Sequence, residues 1–250
     1  MKNGLILSGG GARGFAHLGV LQALDELGIQ IDAIAGASAG SIAAAFYLAG
    51  HKPKEILHYI TSYKFYEWAR FRFRTPGILH MDKIGKLFEK YLPDTFEKIP
   101  KTLIVATTDL VNCRSVYFSS GKLIPALCAS ASIPVMFEPV IINGTQYIDG
   151  GVLDNFPVNT LRERCDRIIG VHVNPIIPGV TATGMRSIMD RSLHIALNHS
   201  IANKKDECDV FIEPAGCAKF GLLDLSKAEE IMKAGYDAAM EKKEELLELK

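Results

Sequence analysis

The residues of this chain that could do chemistry sit in glycine-rich clusters. The pentapeptide Gly36-Ala37-Ser38-Ala39-Gly40 fits G-x-S-x-G and lies between an apolar run and a helix-forming run. A serine on a sharp strand-to-helix turn needs small neighbours, because its backbone is strained and strand and helix nearly touch. Such a turn lifts the hydroxyl out of the fold and sets it at a helix N-terminus, where free N–H groups favour developing negative charge. That presents a serine as a nucleophile. The pattern alone is weak, since any close helix–strand contact also selects Gly, Ala and Ser.

A second cluster, Ser8-Gly9-Gly10-Gly11-Ala12-Arg13-Gly14, follows the first apolar run and opens the first helical one. Gly9, Gly11 and Gly14 match G-x-G-x-x-G, a dinucleotide-binding turn. That reading wants an acidic residue at the end of the second strand, where this chain has Gly36-Ala37-Ser38; Asp32 stands at the wrong end. The alternative is an oxyanion hole over Gly9, Gly10, Gly11, Ala12, Arg13 and Gly14, whose amides would stabilise a tetrahedral oxyanion by about 3–4 kcal/mol per donor. Arg13 either braces this loop, meets an anionic head group, or is a surface arginine starting a helix.

A nucleophilic serine needs a base. In Tyr147-Ile148-Asp149-Gly150-Gly151, an aspartate ends a strand and two glycines free it. An unperturbed aspartate, pKa about 3.9, is a poor base for serine. A partly dry site that raises the value and holds the carboxylate near the hydroxyl would make it a usable one. Read alone, Asp149 is a turn residue. His172 also follows Asp149, and Ser38, Asp149, His172 would copy the chain order of α/β-hydrolase triads. A satisfied core histidine is the competing reading. His17, His194 and His199 show no metal-ligand pattern and read as structural.

With the Gly9–Gly14 loop, Ser38 and Asp149-Gly150-Gly151 in that order, the chain resembles the patatin-like phospholipase family over residues 4 to about 215. Ala129-Ser130-Ala131-Ser132-Ile133-Pro134, Phe137-Glu138-Pro139-Val140 and Asp154-Asn155-Phe156-Pro157-Val158 also look like that family. The resemblance implies a Ser–Asp dyad, with Ser38 as nucleophile and Asp149 as base, no metal or cofactor, and an oxyanion hole at the amides near Gly10, Gly11 and Ala12. It implies hydrolysis of acyl esters of phospholipids, lysophospholipids or neutral lipids. Ser8 departs from the pattern, since many members carry aspartate there.

The elements that must position these residues alternate. Strands are expected at 3–8, 31–35, 102–109, 115–119, 140–142, 146–148, 167–173 and 210–212. Helices are expected at 15–27, 39–49, 53–62, 81–91, 122–132, 185–204 and from 226 to 250. Asn143-Gly144 marks a hairpin. The alternation predicts one α/β domain over 1–250, a three-layer sandwich around a largely parallel sheet.

Twenty-eight basic residues balance 28 acidic ones, so the net charge is zero and no basic footprint for nucleic acid exists. The N-terminal apolar run is short for a secretory signal, no segment reaches membrane-span length, and five scattered cysteines read as reduced thiols. These features make cytoplasm the expected location. Tyr63–Arg74 mixes aromatics, the only Trp and arginines. It fits a cap over the serine that contacts membranes or micelles, or equally an inward-packed helix end with solvated arginines. The terminal helix reads as a solvated amphipathic helix. The function expected is a serine acyl hydrolase acting on an acyl-lipid substrate. The alternative is a regulatory module of the same fold that binds lipid or protein without meaningful turnover.

Overall fold

Side chains of a strand alternate between faces, and in this protein the two faces of the central sheet are buried under unequal cover. In the computed structural model, which describes residues 1–62, 81–179, 181–199, 201 and 204–250, eight strands form one sheet. They are β1 (Asn3–Leu7), β2 (Ala33–Ala37), β3 (Thr102–Asp109), β4 (Arg114–Phe118), β5 (Val140–Ile142), β6 (Thr145–Asp149), β7 (Arg167–Val171) and β8 (Val210–Ile212). The order is β5-β6-β3-β2-β1-β7-β8, with β4 also paired to β3. From β3 to β8 the pairing is parallel. β4, β5 and β6 add an antiparallel edge.

Leu5, Leu7, Ile34, Val105, Ile169 and Val171 face the larger core. It is covered by α1 (Phe15–Leu27), α2 (Ala39–Leu48), α3 (Pro53–Ser62), α4 (Asp82–Tyr91), α5 (Leu123–Ser130) and α8 (Ala228–Glu241). Ile6, Ala35, Ile104 and Ile168 face a thinner layer built from Phe156, Val158, Leu161 and Ile201, with α6 (Asn159–Arg162) at its centre. The expected three-layer α/β fold is therefore present, and its layers differ in weight.

Several boundaries moved. β2 lies two residues later than its apolar run, because Asp32 bonds Asn3 at the sheet entrance, its amide donating to Asn3 O at 2.9 Å and its carboxylate accepting from Asn3 N at 2.8 Å. The helix expected over 185–204 is α7 (Met185–His199) followed by a 3₁₀ turn at Lys205–Glu207. The terminal helix is two, α8 and α9 (Lys243–Leu247), and it is amphipathic: Ile231, Ala239 and Leu246 are fully buried, while Lys243, Glu244 and Glu245 stay exposed. Gly19 of α1 and Gly235 of α8 let the two helices touch at backbone distance, since a Cβ at either would collide with main chain of the other. The Tyr63–Arg74 segment lies outside the described residues. None of the five cysteines is in a disulfide. Among the described residues no helix is long and apolar enough to cross a membrane.

Candidate active site

β1 and β2 are parallel neighbours with Leu7 opposite Gly36, so the loops leaving their carboxyl ends meet. The loop after β2 is one residue long. Ser38 occupies it with φ 48°, ψ −124°, a conformation that strains a non-glycine residue by about 1–3 kcal/mol. The fold holds it there by both ends of its peptide unit. Ser38 N donates to Ser130 Oγ at 2.9 Å, Ser130 Oγ donates to Ala106 O at 2.7 Å, and Ser41 Oγ donates to Ser38 O at 2.7 Å. Gly36 and Gly40 are needed because strand and helix start in contact: a Cβ on Gly36 would lie 2.7 Å from the Gly40 carbonyl carbon, and one on Gly40 would strike Leu7 O.

Asp149 arrives from the antiparallel edge. It ends β6 opposite Thr107, its amide donates to Ser132 O at 3.0 Å and its carbonyl accepts from Thr108 Oγ1 at 2.9 Å. Its Oδ1 accepts from the Gly151 amide at 2.7 Å. Burial lifts the carboxyl to a pKa of about 6, against the opposing hydrogen bonds of the Ser38 hydroxyl and the Gly151 amide. Desolvation wins because the carboxylate gains only two donors and no cation.

Ser38 and Asp149, each only 6% exposed, line one small cavity of about 50 Å³ together with Gly9, Gly10 and Gly11. Gly151, Asn155, Ile133, Pro134, Val152 and Leu222 complete its wall. The glycine loop is pinned on both sides. Gly9 N donates to Asn155 O at 3.3 Å, and Asn174 Nδ2 donates to Gly9 O at 2.6 Å. Ala12 N donates to Leu222 O at 2.8 Å, which removes Ala12 from the expected donor set. Among the described residues the amides of Gly10 and Gly11 have no protein acceptor. Gly11 holds φ +55°, and a Cβ there would meet Leu222 O.

Arg13 and Gly14 do not reach the cavity. Arg13 is buried rather than on the surface; its Nε donates to Phe220 O at 2.7 Å and its Nη1 meets the His194 ring, so it braces the loop. Gly14 packs against Ala39 and Gly150 against the Ala106 carbonyl. Neither His172 nor His17 lines the serine cavity. His172 Nε2 pairs with Asn198 Oδ1 at 3.1 Å, and burial lowers its pKa to about 3. His17 Nε2 donates to Ser8 O at 2.7 Å, with burial lowering its pKa to about 4. A fully buried Ser8 accepts from Val173 N at 3.1 Å, tying the loop to β7. Among the described residues no group of three His, Cys, Asp or Glu side chains could hold a metal ion.

Ser130, Asn155 and Leu222 are the contributors that sequence reasoning assigned no role. Ser130 and Asn155 lie in quoted motifs; Leu222 stands outside every motif. Asn155 is buried, with its Nδ2 lacking a partner beside the cavity.

A far larger cavity, about 810 Å³, lies not at Ser38 but between α1, α3 and α8. An apolar slot of about 60 Å³ stands between the two, sharing Gly11 with the serine cavity and Phe15, Ile60 and Leu225 with the large groove.

A family model described as patatin-like phospholipase matches residues 5–162, the span that holds Ser38, Asp149 and the glycine loop. The chain belongs to this family. Among patatin-like relatives, the NTE family protein Mb1092c of Mycobacterium bovis is 35% identical over 177 residues, 68% of this chain and 48% of that protein. Lysophospholipase NTE1 of Kluyveromyces lactis is 27% identical over 270 residues, 93% of this chain and 18% of that protein. The chain thus spans about half the length of the first relative and less of the second. VipD from Legionella pneumophila shares the fold, with a TM-score of 0.58 at 18% identity over 99% of this chain and 67% of that one.

Proposed function

We propose that this patatin-like chain is a metal-independent serine hydrolase of fatty-acyl esters in lipids, of phospholipase, lysophospholipase or esterase type. The observation that carries the reading is a strained, buried serine that lines one small cavity with a carboxyl of raised pKa, beside two amides that, among the described residues, have no protein acceptor. Asp149 takes the Ser38 proton as Oγ attacks the ester carbonyl carbon. The carbonyl π electrons move onto oxygen, and the Gly10 and Gly11 amides donate hydrogen bonds to the resulting oxyanion. Collapse of this intermediate breaks the bond to the alcohol oxygen, which leaves with the proton from Asp149. Water, giving its proton to Asp149, then attacks the acyl-enzyme, and Ser38 leaves re-protonated with release of the fatty acid. The acyl chain runs from Ser38 past Gly11 into the slot lined by Leu18, Ile42 and Ile60. The lysophospholipase name of one relative makes single-chain phospholipids the substrates to try first. The work is done in the cytoplasm, with peripheral contact to membranes.

The test compares wild type with Ser38→Ala and Asp149→Asn on p-nitrophenyl esters and on lysophosphatidylcholine. Both variants should lose at least about a thousandfold in kcat, His172→Ala should keep its rate, and chelators should change nothing. Turnover surviving in Ser38→Ala would overturn the assignment.

A further inference from the structure

Ile133-Pro134-Val135-Met136-Phe137 makes a tight turn, with the amides of Met136 and Phe137 donating to Ile133 O at 3.2 and 3.0 Å. Its two ends are fixed: Ile133 lines the serine cavity and Phe137 is in the core. Its tip is not. Val135 is 81% exposed and holds φ +71°, a left-handed conformation that glycine adopts freely and a β-branched residue resists. Neither packing nor backbone geometry accounts for a valine there; both favour glycine. What remains is the apolar side chain itself, held out into solvent.

Val135 has company at the mouth of the same cavity. Val152, 46% exposed, lines it directly. Leu153 and Leu223, 45% and 44% exposed, each follow a cavity-lining residue. Three separate segments (133–137, 151–153 and 221–225) thus meet at this cavity, each carries an exposed apolar side chain, and the only charge in them is Asp224. Apolar residues grouped in this way mark an interaction surface rather than scattered exposure.

We propose that this rim is an interfacial collar that seats the cavity mouth on a zwitterionic lipid surface, with Val135 as the inserted tip. The inference rests on the acyl-lipid reading of the site. A lipid is the occupant that fits, because the collar is continuous with the cavity its acyl chain must enter and offers no cation for an anionic partner. A substrate dissolved in a bilayer then passes from lipid to Ser38 without crossing water.

The experiment measures binding, so it stays distinct from failure of the catalytic reading. Ser38→Ala protein, which leaves the lipid intact, is sedimented with phosphatidylcholine vesicles, alone and with Val135→Gly or Leu153→Ser added. The parent should partition onto vesicles. Val135→Gly should bind about tenfold less, the loss of roughly one buried valine, with a melting temperature equal to or above the parent's, because the backbone strain is relieved. Leu153→Ser should weaken binding in the same direction. No partition by the parent, or undiminished partition of Val135→Gly, would overturn the proposal.

Discussion

At the scale of single residues, the proposed chemistry turns on how costly it is to ionise Asp149. Its carboxyl is lifted from 3.8 to about 6 by burial, which places it near the working range of a general base. As the required form is the carboxylate, kcat/KM should rise with pH through about 6 and level off above it; a rate independent of pH between about 5 and 7 would exclude Asp149 as the base. The same shift has a sign for stability. The folded state holds this proton more tightly than the unfolded chain, so the contribution of Asp149 to stability is fully present below about pH 4 and is lost as pH rises through about 6, by about 3 kcal/mol in all. Asp149→Asn keeps an oxygen for the Gly151 amide and removes the ionisation. Denaturant titration should therefore find the variant inactive but more stable than wild type at about pH 8 by up to about 3 kcal/mol, with the gap closing below about pH 4.

At the scale of elements, α5 and the turn after it position both reacting groups. Ser130 holds the Ser38 amide and Ser132 O holds the Asp149 amide. Ser130→Ala leaves a buried N–H without an acceptor and should cost about 1–3 kcal/mol in denaturant titration. It should also lower kcat more than it raises KM, because Ser38 loses its fixed conformation while the substrate walls stay. In the slot beyond, Ile42→Trp should shorten the preferred acyl chain, checked by the ratio of octanoate to butyrate ester turnover. What was legible in the sequence at this scale follows from the kind of constraint involved. Gly36, Gly40, Gly11 and Gly150 answer demands of backbone conformation and close approach at a turn, so short motifs record them. Ser130 meets Ser38 across 92 positions and Leu222 meets Ala12 from the far end of the chain, and neither contact leaves a local pattern. The late start of β2 was hidden for a related reason. Ile31 is as buried as the strand residues after it, so the apolar run does not mark where pairing begins. Arg13 read as either brace or surface because sequence cannot say what an arginine reaches; only the fold shows the Phe220 carbonyl.

At the scale of the whole molecule, α1 and α8 make the contact that closes the larger core. Gly235→Leu would force them apart against Ala16 main chain and should lower stability by about 1–3 kcal/mol or more, read from the melting temperature. The strain would spread to the glycine loop, because α1 begins one residue after Gly14. The bond from Ala12 N to Leu222 O carries a consequence of its own. The family match ends at residue 162, and Ser38 and Asp149 have both been synthesised by then. Yet one of the bonds that hold the loop beside them in shape, that of Ala12 N, needs a carbonyl that the ribosome adds about sixty residues after that point. In a growing chain Ser38 and Asp149 are therefore both present well before this strap, and the proposed anion cradle gains its Ala12 anchor only once Leu222 has emerged and docked.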